Sequence, residues 1–460
     1  MPFPAELLAA LSGPTGVVIV AGAGCSVEPP TNLRGGSYYA EEAFRQLIEN
    51  GTLNADDCED STDLCCVTDA VVEKLGSQEE LVRCLPIMAF RNVEPNIGHL
   101  IAAALMREGA LHSVATLNFD LAFSTALSAV GATDDISIVS GPDQFDRMGN
   151  FNLVYLHRNV DSNAEDLILT TDALKAGWVD EWEHAMANMM LASPTVIFVG
   201  LGSRARLLTE TITRIREQLK DQHVYLVGTG DPDQSDFFVD LAIEEDNYVK
   251  LGWCEFMQQA SRRVIADHVT ELQEACGQLC AENHYPPEDM STIAPQLSSL
   301  GIIALGRMRA RWLLHNRNYA THREVDKKLI ADILLGIAMV ERIGPYQSRI
   351  SKEGTVSFWD GQKLVGTVGF VSGSGSLRWL AVETRIKNQH QYFGLGSAEQ
   401  PKQYILSGIE GGRPLDIDFP DDIIDDREPG SVLTGADDVE LHLLSDVRQD
   451  NSLIDAILVR

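Results

Sequence analysis

The chain has 460 residues, of which 45% are apolar, and a formal net charge of −31. That length exceeds one compact core and argues for two or three domains, while the acidity sets the chain against a direct, sequence-independent grip on nucleic acid phosphates. No apolar run reaches the roughly 18 residues that span a bilayer, so no membrane association is expected.

The N-terminal "MPFPAELLAALSGP" carries Glu6 and no basic residue ahead of its short apolar stretch. It reads as a first helix ending near Gly13 and not as a secretory signal, which places the protein in the cytoplasm. Next comes "GVVIVAGAGCSVEPPTNLRGG", a β-type run Val17–Val20 that breaks into Gly22, Ala23, Gly24, Cys25 and Ser26. Taken alone, this is either a phosphate cradle or a tight strand-to-helix turn. Glu28 stands where the dehydrogenase fingerprint has its third glycine, and the Lys and Ser/Thr of a P-loop are missing. "YYAEEAFRQLIENG" predicts a helix stopping at Gly51, and "EPNIGHLIAAALMREGA" a second one stopping at Gly109. The runs "HSVATLNFD", "NLVYLH", "TVIFVGLGS" and "HVYLVGTGD" follow, each short, apolar and ending in polar or glycine residues. This alternation predicts an α/β fold with a doubly wound parallel sheet over residues 1–262. Ligands of such sheets bind beyond the carboxyl ends of the strands. Gly22 to Ser26, Asn118, His157 and Gly200 to Ser203 all fall there.

After residue 262 the pattern changes. Residues 263–345 read as a helical segment, including "LGIIALGRMRARWLLHNRN", whose apolar residues cover much of the helix circumference. Core packing or subunit contact accounts for such a surface, and a homo-oligomer is expected. Residues 346–460 read as a β-rich, acidic module with a hairpin at Asp360–Gly361, a "SGSGS" break at 372–376, and a solvated acidic loop in "PLDIDFPDDIIDDREPG". No second glycine-rich strand-turn-helix unit of phosphate-cradling character is evident there. Eight cysteines include no CxxC pair, only adjacent Cys65–Cys66 and Cys276 with Cys280 four residues on, so neither a disulfide framework nor a metal site is expected.

The segment Gly22–Ser26 with Pro30, Thr31 and Asn32 shortly after resembles the Gly-Ala-Gly-x-Ser…Pro stretch of the sirtuin family. In the same order, "EPNIGHLIAAAL" resembles the family's helix before the next strand, "ATLNFD" its Asn-x-Asp, "VYLH" the strand ending in the catalytic histidine, and "VIFVGLGS" a later strand and turn beneath the cofactor. The likeness runs over residues 15 to 260 and implies a Rossmann-like, sirtuin-type domain with NAD as substrate. It implies that Gly22, Ala23, Gly24, Cys25, Ser26, Asn32, Gly200 and Ser203 hold the dinucleotide. Asn118 would orient the ribose hydroxyl or the attacking water, Asp120 would hold the nicotinamide carboxamide, and His157 would accept a proton.

Two departures qualify the likeness. The sirtuin zinc ribbon is missing, as in the zinc-less sirtuin-like domains of bacterial anti-phage systems, which hydrolyse NAD. Arg158 stands where the family has glycine after the histidine. The resemblance therefore implies a NAD hydrolase, triggered by a protein partner such as a ring ATPase or an Argonaute-like protein, with the C-terminal module restraining or relaying activation. The alternatives are a NAD-dependent protein deacylase and a scaffold that binds NAD or ADP-ribose without turnover.

Overall fold

The structure is a computed structural model that describes residues 3–13, 16–180, 182–202, 213, 222–315, 318–372, 386, 401, 403–407 and 440–458. Ser203, most of "LRWLAVETRI" and the acidic stretch after Pro414 lie outside the described residues. The chain divides into two units, Met1–Arg263 and Val264–Arg460.

The first unit is built on seven strands: β1 (Val17–Ala21), β2 (Ser113–Thr116), β3 (Ser137–Val139), β4 (Asn152–Tyr155), β5 (Thr195–Val199), β6 (His223–Gly228) and β7 (Tyr248–Lys250). They lie in the order β3-β4-β2-β1-β5-β6-β7, and every neighbouring pair is parallel. All five residues of β1 are buried, as a strand covered on both faces must be. Val18 and Val20 join a core with Met186, Met190, Phe198 and Phe237 on one side, while the alternate residues point to the opposite face. This is the doubly wound parallel sheet. On one side of β1 the sheet runs through β2 and β4 to the edge strand β3, with β4 inserted between β2 and β3, and the chain then crosses back to lay β5, β6 and β7 on the other side. The switch point falls at the carboxyl ends of β1 and β5, where such sheets open a crevice.

The four later strand-like runs form β2, β4, β5 and β6. Two further strands, β3 and β7, have three residues each. They are too short to show any periodicity, and β4 and β6 supply their pairing. The helix Ile97–Glu108 starts at Asn96, whose side chain accepts the His99 N–H, and stops at Gly109, which adopts φ 81°. The helices Gly36–Glu49, Leu64–Leu75, Glu79–Cys84 and Ile87–Arg91 close over a separate core that includes Leu47, Val67, Val71, Leu81 and Phe90.

The second unit sets the helices Ile293–Leu300, Ile302–Trp312 and Tyr319–Ile343 against a five-stranded sheet. Its order is β12-β11-β10-β9-β8, from β8 (Gln347–Ile350), β9 (Thr355–Asp360), β10 (Lys363–Ser372), β11 (Gln403–Ser407) and β12 (Glu440–Leu443). β8, β9 and β10 are antiparallel, with the predicted hairpin closing at Asp360–Gly361, whereas β10, β11 and β12 run parallel. The apolar circumference of Ile302–Trp312 is spent inside the chain, with Ile302, Leu305, Met308, Ala310 and Trp312 all buried. Among the described residues no helix is long and apolar enough to cross a membrane.

Candidate functional site

The turn after β1 is held by backbone contacts with the turn after β5. Gly22 N–H donates to Val199 O (2.9 Å), Gly24 N–H to Gly200 O (2.8 Å), and Cys25 N–H back to Gly22 O (3.0 Å). The two turns approach so closely that side chains are excluded. A Cβ on Gly24 would lie 2.6 Å from Gly200 Cα, and one on Gly200 would lie 2.6 Å from Cys25 N. Gly200 also adopts φ 64°, a conformation that costs an L residue about 1–2 kcal/mol. Gly200→Ala is therefore expected to destabilise the first unit by about 2–4 kcal/mol, the overpacking and the strain together. A urea unfolding midpoint unchanged from wild type would contradict this seam.

Cys25 faces inward from the turn. Its Sγ lies 3.7 Å from Val199 O, it is fully buried, and burial pushes its thiol well above the ordinary range, with the Asp120 charge adding to the effect. It is part of the wall and no nucleophile. Ser26 points the other way, into a polar network. Its Oγ donates to Asp120 Oδ2 (2.9 Å) and accepts from Asn118 Nδ2 (3.2 Å), which also donates to Gly22 O (3.2 Å). Asp120 Oδ1 accepts the Ala122 N–H (3.0 Å). Both carboxylate oxygens are therefore engaged, and burial raises the Asp120 carboxyl despite these bonds. Asn118 is seated by its own N–H donating to Thr116 Oγ1 (3.1 Å) at the end of β2.

His157 lies at the same edge. Thr116 of β2 and Tyr155 of β4 are register partners, so Asn118 and His157 each stand two residues beyond that pair. The imidazole is half-buried, and desolvation, with the Arg158 charge second, lowers it from 6.5 to about 4. It is neutral throughout the physiological range, which is the state a proton acceptor needs. Asn32 is exposed at φ 50°, and its Nδ2 donates to Pro30 O (3.0 Å). The structure thus gathers Gly22, Gly24, Cys25, Ser26, Asn118, Asp120 and Gly200 into one bonded cluster. It puts His157 on the same edge and Asn32 on the exposed side of the turn.

Two residues outside the sequence-derived set belong to this cluster. Asn96 is fully buried, and its Nδ2 donates to Cys25 O (2.8 Å) and Glu28 O (3.4 Å), so the residue that caps Ile97–Glu108 also clamps the turn. Its position ahead of an apolar-periodic run signals the cap, but nothing in the sequence signals the second task. Glu28 Oε1 accepts the N–H of Cys254 (3.1 Å) at the start of the helix Trp253–Asn283. Among the described residues, no group of three or more His, Cys, Asp or Glu is placed to hold a metal ion.

No protein-family model matches the chain, and no curated protein matches it. Similar solved structures are Sir2 proteins. One is a Sir2 variant with a p53 peptide and NAD, 14% identical, covering 56% of this chain and 97% of that one, with a TM-score of 0.33. Another is a Sir2 homologue complexed with NAD, 14% identical, covering 56% of this chain and 93% of that one, with a TM-score of 0.32. A third is a Sir2 homologue variant with ADP-ribose, 14% identical, covering 57% of this chain and 96% of that one, with a TM-score of 0.33.

Proposed function

We propose that the first unit hydrolyses NAD to nicotinamide and ADP-ribose. The observation that carries this reading is the bonded cluster of Ser26, Asn118 and Asp120 closing onto Gly22 at the switch point of a parallel sheet, with a neutral His157 on the same edge. The sirtuin-like order of the motifs in the sequence supports it.

The scissile bond joins the ribose to a pyridinium ring. As it breaks, both electrons leave with the ring, which departs as neutral nicotinamide, and the ribose takes on oxocarbenium character. A water oxygen bonds to that carbon and gives up its proton, for which His157 is the acceptor. The turn Gly22–Ser26 holds the dinucleotide. Asn118 has its amide nitrogen committed to Gly22 and Ser26, which leaves its Oδ1 to orient a ribose hydroxyl or the water. Asp120, whose two oxygens each accept one hydrogen bond, from Ser26 and from the Ala122 N–H, keeps further lone pairs to hold the nicotinamide carboxamide.

Nicotinamide release from NAD by the full chain, with no acyl-lysine peptide present, tests this function. Release that appears only when such a peptide is added would make the protein a deacylase. Binding of NAD with no release, even beside a genomic neighbour, would make it a scaffold. Within this reading the biological setting is anti-phage defence, where an idle hydrolase is switched on by a partner protein such as a ring ATPase or an Argonaute-like protein. Residues after 262 would restrain or relay that switch, in a homo-oligomer.

A further inference from the structure

Glu28 stands where a dehydrogenase fingerprint would have its third glycine, two residues past the turn Gly22–Ser26. A carboxylate there is a liability beside a diphosphate, since the two anions repel. The structure shows where that charge goes. Glu28 is half-buried, and its Oε1 accepts the Cys254 N–H (3.1 Å) in the first turn of the helix Trp253–Asn283. That N–H is among those a helix leaves without a backbone partner, and the partial positive charge of a helix start favours an anion. Gly252 leaves the room for this contact, because a Cβ on it would lie 3.1 Å from Glu28 Oε1.

The backbone around Glu28 is tied as well. Its carbonyl accepts from Asn96 Nδ2 and from the Asn32 N–H, each at 3.4 Å. The same Asn96 amide donates to Cys25 O (2.8 Å), Thr31 Oγ1 donates to Glu94 O (2.8 Å), and the Leu33 N–H returns to Ser26 O (2.9 Å). Residues 27–33 are therefore fastened on one side to Glu94 and Asn96. On the other side the Glu28 carboxylate fastens them to a helix start 226 residues along the chain. Ser26, which the Asn118 and Asp120 side chains both engage, lies at the near end of this segment.

We propose that Glu28 is a positioning residue for the dinucleotide: anchored on the start of the helix Trp253–Asn283, its carboxylate seats the turn Gly22–Ser26 and is itself held off the diphosphate. This rests on the reading of that turn as the part that holds NAD. What the turn needs from Glu28 is a hydrogen-bond acceptor and not a charge. An uncharged acceptor of the same length therefore keeps the turn seated, and it also relieves the repulsion.

The test uses the full chain with NAD as the probe and two variants. E28Q keeps an oxygen that accepts the Cys254 N–H but removes the charge, and E28A removes both. E28A is expected to raise KM about two- to tenfold, the range that one hydrogen bond is worth, with the loss falling on KM and not on kcat. E28Q is expected to show a KM within about twofold of wild type or below it. A KM in E28A equal to that of wild type overturns the proposal, even if the variant unfolds more easily, because Glu28 would then be a helix cap and nothing more. An E28Q weakened as much as E28A also overturns it, since the charge itself would then be gripping the cationic nicotinamide ring. Hydrogen exchange gives a readout that needs no turnover. In E28A the amides of Cys254 and Leu33 are expected to exchange faster together, and in E28Q both are expected to keep wild-type rates. Faster exchange at Cys254 with Leu33 unchanged overturns the tie between helix and turn. If wild type neither releases nicotinamide nor binds NAD by calorimetry, the reading of the turn falls, and the exchange rates alone decide whether Glu28 seats it.

Discussion

His157→Ala is expected to lower nicotinamide release by about 10²–10⁴-fold, the range that a positioned proton acceptor contributes. The fold should survive the change, because the imidazole is half-buried at the strand end and not part of either core cluster. The loss should therefore fall on kcat, with NAD still bound. The pH dependence gives a sharper signature. A free imidazole loses its accepting form below about 6.5, but this one does so only near pH 4, since burial and Arg158 oppose its charging. In wild type, kcat/KM should stay level from pH 8 down to about 5 and decline only as the pH approaches 4. Asn118→Ala should also be impaired, but with the position of the acid limb unaltered, since amides do not titrate. An inflection near 6.5 in wild type, or release by His157→Ala within a few-fold of wild type, would rule out this acceptor.

The second large effect concerns stability in acid. His99 is fully buried on the helix Ile97–Glu108, edge-on to Phe123 (4.6 Å between ring centroids) and Trp253 (5.9 Å). Among the described residues neither of its ring nitrogens has a hydrogen-bond partner. Desolvation alone lowers it from 6.5 to about 3. In the unfolded chain this histidine takes up a proton as the pH falls through 6.5, whereas in the folded chain it stays neutral until about pH 3. The unfolded state therefore binds more protons throughout that window, and stability falls with pH across it by about 1.4 kcal/mol per unit. His157 adds to the slope between 6.5 and about 4. From pH 6.5 to pH 5, His99 alone should remove about 2 kcal/mol. His99→Leu fills a similar volume without a titrating group, so its urea midpoint should drop less than that of wild type between pH 7 and pH 5. Equal drops in the two proteins would show that His99 is not the group responsible.

The sheet was legible because its central strands are continuous β-branched runs, each ending in glycine or a polar residue. "VVIVA" and "TVIFV" cannot be amphipathic helices, and their ends mark the site. Ser26, Asn118 and Asp120 could be placed at one edge from strand order alone. Their mutual hydrogen bonds could not, because these depend on how the turn folds back onto β2. The helices between Leu64 and Arg91 escaped notice because they run from five to twelve residues and share one core among them. β11 and β12 were hidden for a related reason, since four or five residues that take their order from neighbouring strands carry little periodic signal of their own. Arg158 stood out in the sequence as a departure from glycine. Its positive φ of 69° did not, because no side chain announces a left-handed backbone.

The seam between the turns after β1 and β5 has a consequence for how this protein tolerates variation. Gly22 and Gly24 belong to one turn and Gly200, far along the chain, to the other, yet a side chain on any of the three would meet the backbone of the facing turn. Effects at such sites do not add. A first methyl group pushes the two turns apart, and a second added across the same gap meets a space already opened. In a library of random substitutions the three positions should therefore behave as one locus, each single change severe and the doubles little worse. Selection acting on any one of them is in effect acting on a pair of backbones that must touch.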